Sequence, residues 1–336
     1  GSHEPATEAV SPWFLFARQY GIVVFWILIC AGFTLASPVF LTGSNVTGIF
    51  EHSAVIAIFA AGEAIVIIAA SLDLSIAPVA AVAGILAAKL LKADAPPVVA
   101  LLGGLGVGVG VGWLNGFITI KMRISPLIAT LGTFSAFTGV GLILTKGYPL
   151  TGATGLEYLG LEKVAGVASC VWIMLAVFAL LGAVMAGTVW GVRLMAVGGN
   201  AEAARRAGVN ADRYLWGAFI VCGLCAALAG LVTLGTLTTA EPVVADGVIF
   251  DAITAVALAG VLLSGGRGSL PKVLLGALIL STIQNGLTLL DVPSYYQLVT
   301  TGVLLILAVW VEGSLSRAIE HRRTMVPAST PDTTTA

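Results

Sequence analysis

Cys222-Gly-Leu-Cys225 has the spacing of a dithiol redox pair or of half a zinc site. Neither chemistry finds its partners here. The pair sits in a long apolar run, and the three histidines (His3, His52 and His321) are scattered along the chain. A structural zinc site needs four converging ligands, so no metal residue and no catalytic residue is expected. Cys222 and Cys225, like Cys30 and Cys170, read as small side chains for helix packing. The Gly-Val alternation that begins at Gly106 has the look of a phosphate loop. No Gly-Lys dipeptide occurs in the chain, so the GxxxxGK[ST] cradle is absent. No cofactor is expected in this chain, and any use of ATP and magnesium falls to a partner.

The remaining chemistry-bearing groups are isolated polar side chains within apolar surroundings. Glu63, Asp73, Asn115, Asp251, Gln284 and Asn285 are the candidates, with Glu241 and Asp246 near Asp251. Polar groups at membrane depth are costly and need a purpose. Either they line a path for a hydrophilic solute, or they tie helices and cap helix breaks. Asp73-Leu-Ser75 suits a helix start, whereas Glu63 is the stronger candidate for the path or for a proton-sensitive site.

The chain around these groups is 58% hydrophobic and only 10% charged. A soluble domain carries about a quarter charged residues, so this chain belongs in a bilayer. The net charge of −1 offers no basic surface for nucleic acid. Apolar runs near 21–40, 52–70, 76–91, 96–120, 126–145, 169–189, 214–235, 250–264, 272–290 and 296–312 predict ten membrane spans. They are continuous and about twice the length of an alternating barrel strand, which excludes a β-barrel. The expected fold is all-α and polytopic. Turn residues or charges mark the breaks, including Leu41-Thr-Gly-Ser-Asn45, Lys121-Met-Arg123 and Gly265-Gly-Arg-Gly-Ser269.

With both termini cytoplasmic, twelve of the sixteen basic residues fall on the inner side and four (Lys89, Lys92, Lys146 and Lys163) on the outer. That asymmetry orients a membrane protein. Residues 1–20 read as an N-terminal tail whose Gly1-Ser2-His3 has the composition of an expression-tag scar. Residues 21–312 form the membrane domain, and 313–336 a cytoplasmic tail with a disordered end.

Between spans, Gly191–Arg213 is long enough to hold a helix of its own. Asn200 is placed to cap it, Glu202 lies in its first turn, and Gly208 ends it. Ala203, Ala204 and Ala207 are then expected on one face. Such a helix of about two turns needs a surface to dock on, although an ordinary positively charged loop fits the spacing equally. The outer loop from Lys146 to Ala168 is the other long connection. Gly104, Gly108 and Gly112 form a small-xxx-small row that admits a second helix closely. A faint internal echo pairs Trp113-Leu-Asn115-Gly116…Pro126 with Ile283-Gln-Asn285-Gly286…Pro293, as inverted repeats do.

Gly198-Gly-Asn-Ala-Glu-Ala-Ala-Arg-Arg-Ala-Gly208 resembles the cytoplasmic G-G-N-x-x-A-A-x-x-x-G segment of a known family. That family is the permease subunits of bacterial ABC importers of the ribose/xylose/arabinose/galactose type. Leu72-Asp-Leu-Ser75, Phe250-Asp-Ala-Ile-Thr-Ala-Val256 with Gly265-Gly-Arg-Gly268, and Tyr295-Tyr-Gln-Leu298 are similar to further family segments, so the likeness runs from about Val46 to Glu312. The resemblance implies that residues of about 198–208 form a coupling helix, with Gly199, Asn200, Glu202, Ala203, Ala204, Arg205 and Gly208 meeting an ATPase subunit. It implies a bacterial inner-membrane permease for a small sugar, paired with a second permease copy or homologue. An extracytoplasmic binding protein, periplasmic or lipid-anchored, would deliver the sugar. The family usually has an uncharged residue at the position of Glu63 and Thr-Gly-Gly where this chain has Ala69-Ala-Ser71, which leaves the sugar open. Two alternatives stand beside this: a proton-coupled secondary transporter that uses Glu63, and a structural subunit of a membrane assembly.

Overall fold

The computed structural model describes residues 12–160, 162–243 and 247–324. Asp246 and the last twelve residues, including the expected disordered end, lie outside the described residues. In chain order the helices are α1 (Pro12–Ala36), α2 (Gly43–Ile68), α3 (Ile76–Lys92), α4 (Pro97–Ile120), α5 (Pro126–Thr145) and α6 (Ser169–Gly187). They continue as α7 (Val189–Gly199), α8 (Ala201–Arg206), α9 (Ala211–Leu237), α10 (Gly247–Leu258), α11 (Leu270–Leu289) and α12 (Ser294–Thr324). Among the described residues, seven helices are long and apolar enough to cross a membrane: α2, α4, α5, α6, α9, α11 and the first part of α12. The molecule is an all-α, multi-pass membrane protein.

Every apolar run read from the sequence contains a helix, but several boundaries differ. The Leu41-Thr-Gly-Ser-Asn45 break is not a break throughout, because α2 already begins at Gly43. Asn45 therefore lies in a helix, where its side chain can bond across to a neighbour. The run at 250–264 is helical only to Leu258. Gly260, with φ +68, ends α10, and the Val261 N–H reaches back to the Val256 carbonyl. Twelve residues of α10 span about 18 Å, so the non-helical residues 259–264 complete that run. At the ends, α1 extends into the expected tail and α12 runs on past 312 to Thr324.

Two long helices, α2 and α9, form the axis and cross at Gly62. A Cβ there would lie 2.7 Å from Cβ of Cys225 and 3.1 Å from Cα of Cys222. Both cysteines are free and buried, which suits small packing residues. Helices α4 and α9 approach backbone to backbone: Gly108 has no room for a Cβ against the Gly223 carbonyl, nor Gly112 against that of Phe219. Gly106 and Gly110 of the same run have nothing within 4 Å, so the Gly-Val alternation turns its predicted row, and not the glycines between, toward α9.

The contacts repeat. Helix α9 packs on α3 and α4, and α2 packs on α10 and α11. Within each set the second helix touches the third and fourth, α3 with α4 and α5, α10 with α11 and α12. Thus α2–α5 and α9–α12 are two copies of one order of contacts, with the first helix of each copy packed on the other copy. The sequence echo falls on the third helix of each copy: Gly116 lies under the Trp216 ring, and Gly286 under Phe33.

The connection 146–168 folds over one end of the bundle. Strand β1 (Leu150–Thr151) pairs antiparallel with β4 (Thr239–Ala240), and β2 (Lys163–Val164) with β3 (Val167–Ala168). Lys92 at the end of α3 donates to the Thr151 carbonyl at 2.7 Å.

Candidate functional site

The segment expected to couple to a partner is an exposed six-residue helix, and its ends are formed by the residues read for that purpose. Asn200 leaves the helical region (φ −161°, ψ 98°), separating α8 from α7. Its Oδ1 accepts the Ala203 N–H at 2.9 Å, satisfying one orphan donor of the first turn. Glu202 stands in the first turn and Arg205 and Arg206 in the last, the arrangement the helix dipole favours. Gly208 adopts φ +79, while the Val209 N–H bonds the Ala204 carbonyl at 2.9 Å.

One expectation for this helix is corrected. Ala203 and Ala207 are exposed on one side, but Ala204 is 5% exposed and packs against Val197 and Ala211. The side chain of Ala204 therefore anchors α8 to the rest of the chain, while Glu202, Ala203, Arg205, Arg206 and Ala207 remain exposed. Two ion pairs brace it: Arg205 to Asp212 at 2.8 Å and Arg206 to Glu202 at 3.2 Å. Both are solvent-exposed, so each contributes little stability.

Behind α8 opens a cleft of about 990 Å³, bounded by Ala69–Ser71, the α4–α5 turn with Lys121 and Arg123, and Gly198–Ala201. The Gly198-Gly199 pair differs in role from its spelling. Gly199 has space, its nearest contact being Gly266 Cα at 3.8 Å from an added Cβ, whereas Gly198 has none against the Ile68 carbonyl. Gly198 is a residue that the sequence reading left out of the site.

The six polar candidates divide into two separate clusters. Glu63, Asp73 and Asn115 are buried together at 0%, 1% and 0% exposure. Glu63 Oε1 accepts the Asp73 N–H at 3.2 Å, and the Cys222 thiol lies 3.6 Å from Oε2. Asp73 Oδ1 accepts the Ser75 N–H at 2.9 Å and the Ser75 hydroxyl at 2.6 Å. Ser75 occupies the N-cap position of α3, so Asp73 holds the turn before the helix rather than its first residue. Asn115 Nδ2 donates to Asp73 and, at 2.9 Å, to Ser75 Oγ, while its own Oδ1 accepts the Thr133 hydroxyl at 2.8 Å. One network thus joins α2, the α2–α3 turn, α4, α5 and α9.

The second cluster ties the other four-helix copy to α2. Gln284 donates to Asp251 at 3.1 Å, and Thr301 donates to the same Asp251 oxygen at 3.2 Å. The His52 ring Nε2 lies 3.1 Å from Oε1 of the Gln284 side chain. Asn285 and Asn45 exchange two amide hydrogen bonds, 3.0 and 2.9 Å. Thr133, Asn45, His52 and Thr301 were not legible as members, because each is a common polar residue whose partner lies on a distant helix. Among the described residues no group of His, Cys, Asp and Glu is arranged to hold a metal ion.

The described residues thus form a multi-pass helical body with buried helix-tying networks and an exposed helix, α8, capped at both ends. Residues 45–309 match the family described as "Branched-chain amino acid transport system / permease component", and the chain belongs to that permease family. It is 36% identical to the ribose import permease protein RbsC of Escherichia coli K12 over 300 residues, covering 88% of this chain and 93% of that protein. It is 34% identical to the D-allose transport system permease protein AlsC of the same organism, over 90% of this chain and 94% of that protein. For the L-arabinose ABC transporter permease protein AraH of Azospirillum brasilense, the identity is 32% over 91% of this chain and 90% of that protein. No solved structure matches the chain.

Proposed function

We propose that this chain is the membrane-spanning permease of an ATP-driven importer of a small sugar, of the pentose or hexose class, in a bacterial inner membrane. The observation that carries the reading is the end-to-end similarity to the ribose, allose and arabinose permeases. The permease performs no chemistry. A partner ATPase subunit holds ATP and magnesium, a binding protein outside the membrane delivers the sugar, and a second permease copy or homologue completes the path.

Ten spans with both termini cytoplasmic fit the charge pattern. Lys121 and Arg123 share the cleft with Arg205, and Lys92 meets the 146–168 connection that carries Lys146 and Lys163. These contacts support two faces, one rich in cations and one poor. In this topology α4 and α11 run in opposite directions, so the two four-helix copies are inverted repeats. Helix α8 then stands on the cytoplasmic side as the coupling helix, with Gly199, Asn200 and Gly208 shaping it. Its small exposed face, Ala203 and Ala207, allows a groove on the ATPase to close tightly around it. Movement of the ATPase pair pushes α8, and two-state packing of helices converts that push into alternating access. Glu63, Asp73 and Asn115, like Asp251, Gln284 and Asn285, act as ties that hold helices of the two copies to one another beside the path.

The test is uptake by proteoliposomes holding this permease, its ATPase and the loaded binding protein. Radiolabelled pentose or hexose should enter only with ATP inside. Uptake that follows a proton gradient and ignores ATP would overturn the reading in favour of a secondary transporter.

A further inference from the structure

Three segments that are far apart in sequence meet by backbone at one point beside α8. The first is the end of α2, where Ile68 is completely buried and its carbonyl oxygen lacks an intrahelical partner. The second is Gly198-Gly199 at the end of α7. The third is the turn Gly265–Gly268, between α10 and α11. The Gly266 N–H donates to the Ile68 carbonyl at 2.8 Å, closing the α2 terminus from another part of the chain.

The fit around this bond leaves no slack. A Cβ at Gly266 would lie 2.5 Å from Cα of Gly199 and 2.7 Å from its nitrogen. One at Gly265 would lie 2.6 Å from Cβ of Ala70 and 2.7 Å from its nitrogen. Gly265 and Gly266 hold φ +89 and +80, and the turn is closed by Leu262 N–H to the Arg267 carbonyl at 3.2 Å. Side chains absorb a displacement by changing rotamer. Backbone packed on backbone has no such freedom and transmits the strain.

We infer that the turn Gly265–Gly268 is the positioning element that carries movement of the coupling segment into the α9–α12 copy. It does so while Ile68 carries the same movement into the α2–α5 copy. On the first branch, the turn leads into α10 and α11, which Asp251 and Gln284 hold together. On the second, Ile68 leads through Ala70 and Ser71 to Asp73, whose bonds reach Asn115 and then Thr133. A push on α8 thereby reaches both copies from one junction, and neither copy can respond without the other. This inference rests on the ATP-driven reading and names the transmission within it.

Gly266→Ala tests it in the complex of permease, ATPase and binding protein, with Gly260→Ala as the matched control. Gly260 has a similar φ, +68, on the same connection, but nothing within 4 Å of an added Cβ. Gly266→Ala should still co-purify with the ATPase, because it replaces none of the exposed residues of α8, and should hydrolyse about tenfold more ATP per sugar imported. Gly260→Ala should keep the wild-type ratio. A merely structural role for Gly266 would lower the amount of complex without changing that ratio. A wild-type ratio in Gly266→Ala, or an equal change in both variants, overturns the inference.

Hydrogen exchange on the wild-type complex gives a second measurement should Gly266→Ala fail to assemble. On binding a non-hydrolysable ATP analogue, amides of 265–268 should change protection together with those of 198–206. A change confined to 198–206 overturns the inference. Failure of the functional reading itself is distinct, since wild-type protein would then show neither ATPase binding nor ATP-dependent uptake.

Discussion

Asn115 on α4 donates to both carboxylate oxygens of Asp73, 3.3 Å from each. One amide thereby fixes the turn between α2 and α3 against α4, and its carbonyl oxygen holds α5 through Thr133. Removing one partner of a buried hydrogen bond leaves the other desolvated and unpaired. Asn115→Ala is therefore expected to destabilise the detergent-solubilised protein by about 1–3 kcal/mol, read from thermal unfolding. Asn115→Asp should be worse, since it places a second carboxylate against Asp73. An unchanged melting temperature in both variants would remove the network from the account of stability.

Ala203 and Ala204 are neighbours in sequence with opposite surroundings, one exposed and the other packed on Val197 and Ala211. Ala203→Trp should leave thermal stability within about 0.5 kcal/mol and abolish ATPase co-purification. Ala204→Trp should instead lower thermal stability, because it overpacks the base of α8. The outcome that counts against the docking face is full ATPase binding by Ala203→Trp.

Asn200 is the only side chain that closes the start of α8 among the described caps. Helix α8 has six residues, and a helix this short does not hold itself. Asn200→Ala should cost about 1 kcal/mol of local helix stability, seen as faster amide exchange across 203–206 and weaker ATPase binding. Asn200→Ser retains an acceptor and should restore most of both. Equal exchange in all three proteins would show that docking of Ala204, rather than the cap, holds the helix.

Much of this was legible in the chain and some was not, for physical reasons. Asn200 and Gly208 could be assigned because caps act within four residues, so their whole mechanism is local. The Gly104–Gly108–Gly112 row was legible because helical spacing alone decides which glycines share a face. Ala204 was misplaced because the face of a short helix that turns inward is set by Val197 and Ala211, outside it. The α10 end was missed because Val261-Leu-Leu-Ser continues an apolar run, and a single glycine at positive φ outweighs hydropathy. The Ile68–Gly266 junction has no local signature at all, since it joins residues about two hundred positions apart.

Glu63 offers the sharpest separation of ATP-driven from proton-driven transport. Its Oε1 accepts a backbone N–H from Asp73, a bond that a glutamine oxygen preserves. Glu63→Gln is expected to keep ATP-dependent uptake in proteoliposomes, with no requirement for a proton gradient. Loss of uptake with normal assembly, together with a pH dependence present only in the wild type, would return Glu63 to the path.

Asn45 and Asn285 permit a measurement of what a buried tie contributes in this protein. Each amide donates to and accepts from the other, at 2.9 and 3.0 Å, so either single change to leucine leaves a half-buried amide without its partner. Asn45 also donates to the Phe40 carbonyl at 2.8 Å, so its removal should cost more than removal of Asn285. Polar pairs between membrane helices contribute about 0.6 kcal/mol on average and up to about 1.7 in double-mutant cycles. The reciprocal geometry places this pair toward the upper end. Asn45→Leu and Asn285→Leu together should then destabilise by less than the sum of the single changes, by about 1–1.7 kcal/mol. The cycle is read from unfolding in mixed micelles. Strict additivity would mean that the two amides find other partners when separated, and that α2 and α11 are held by packing alone.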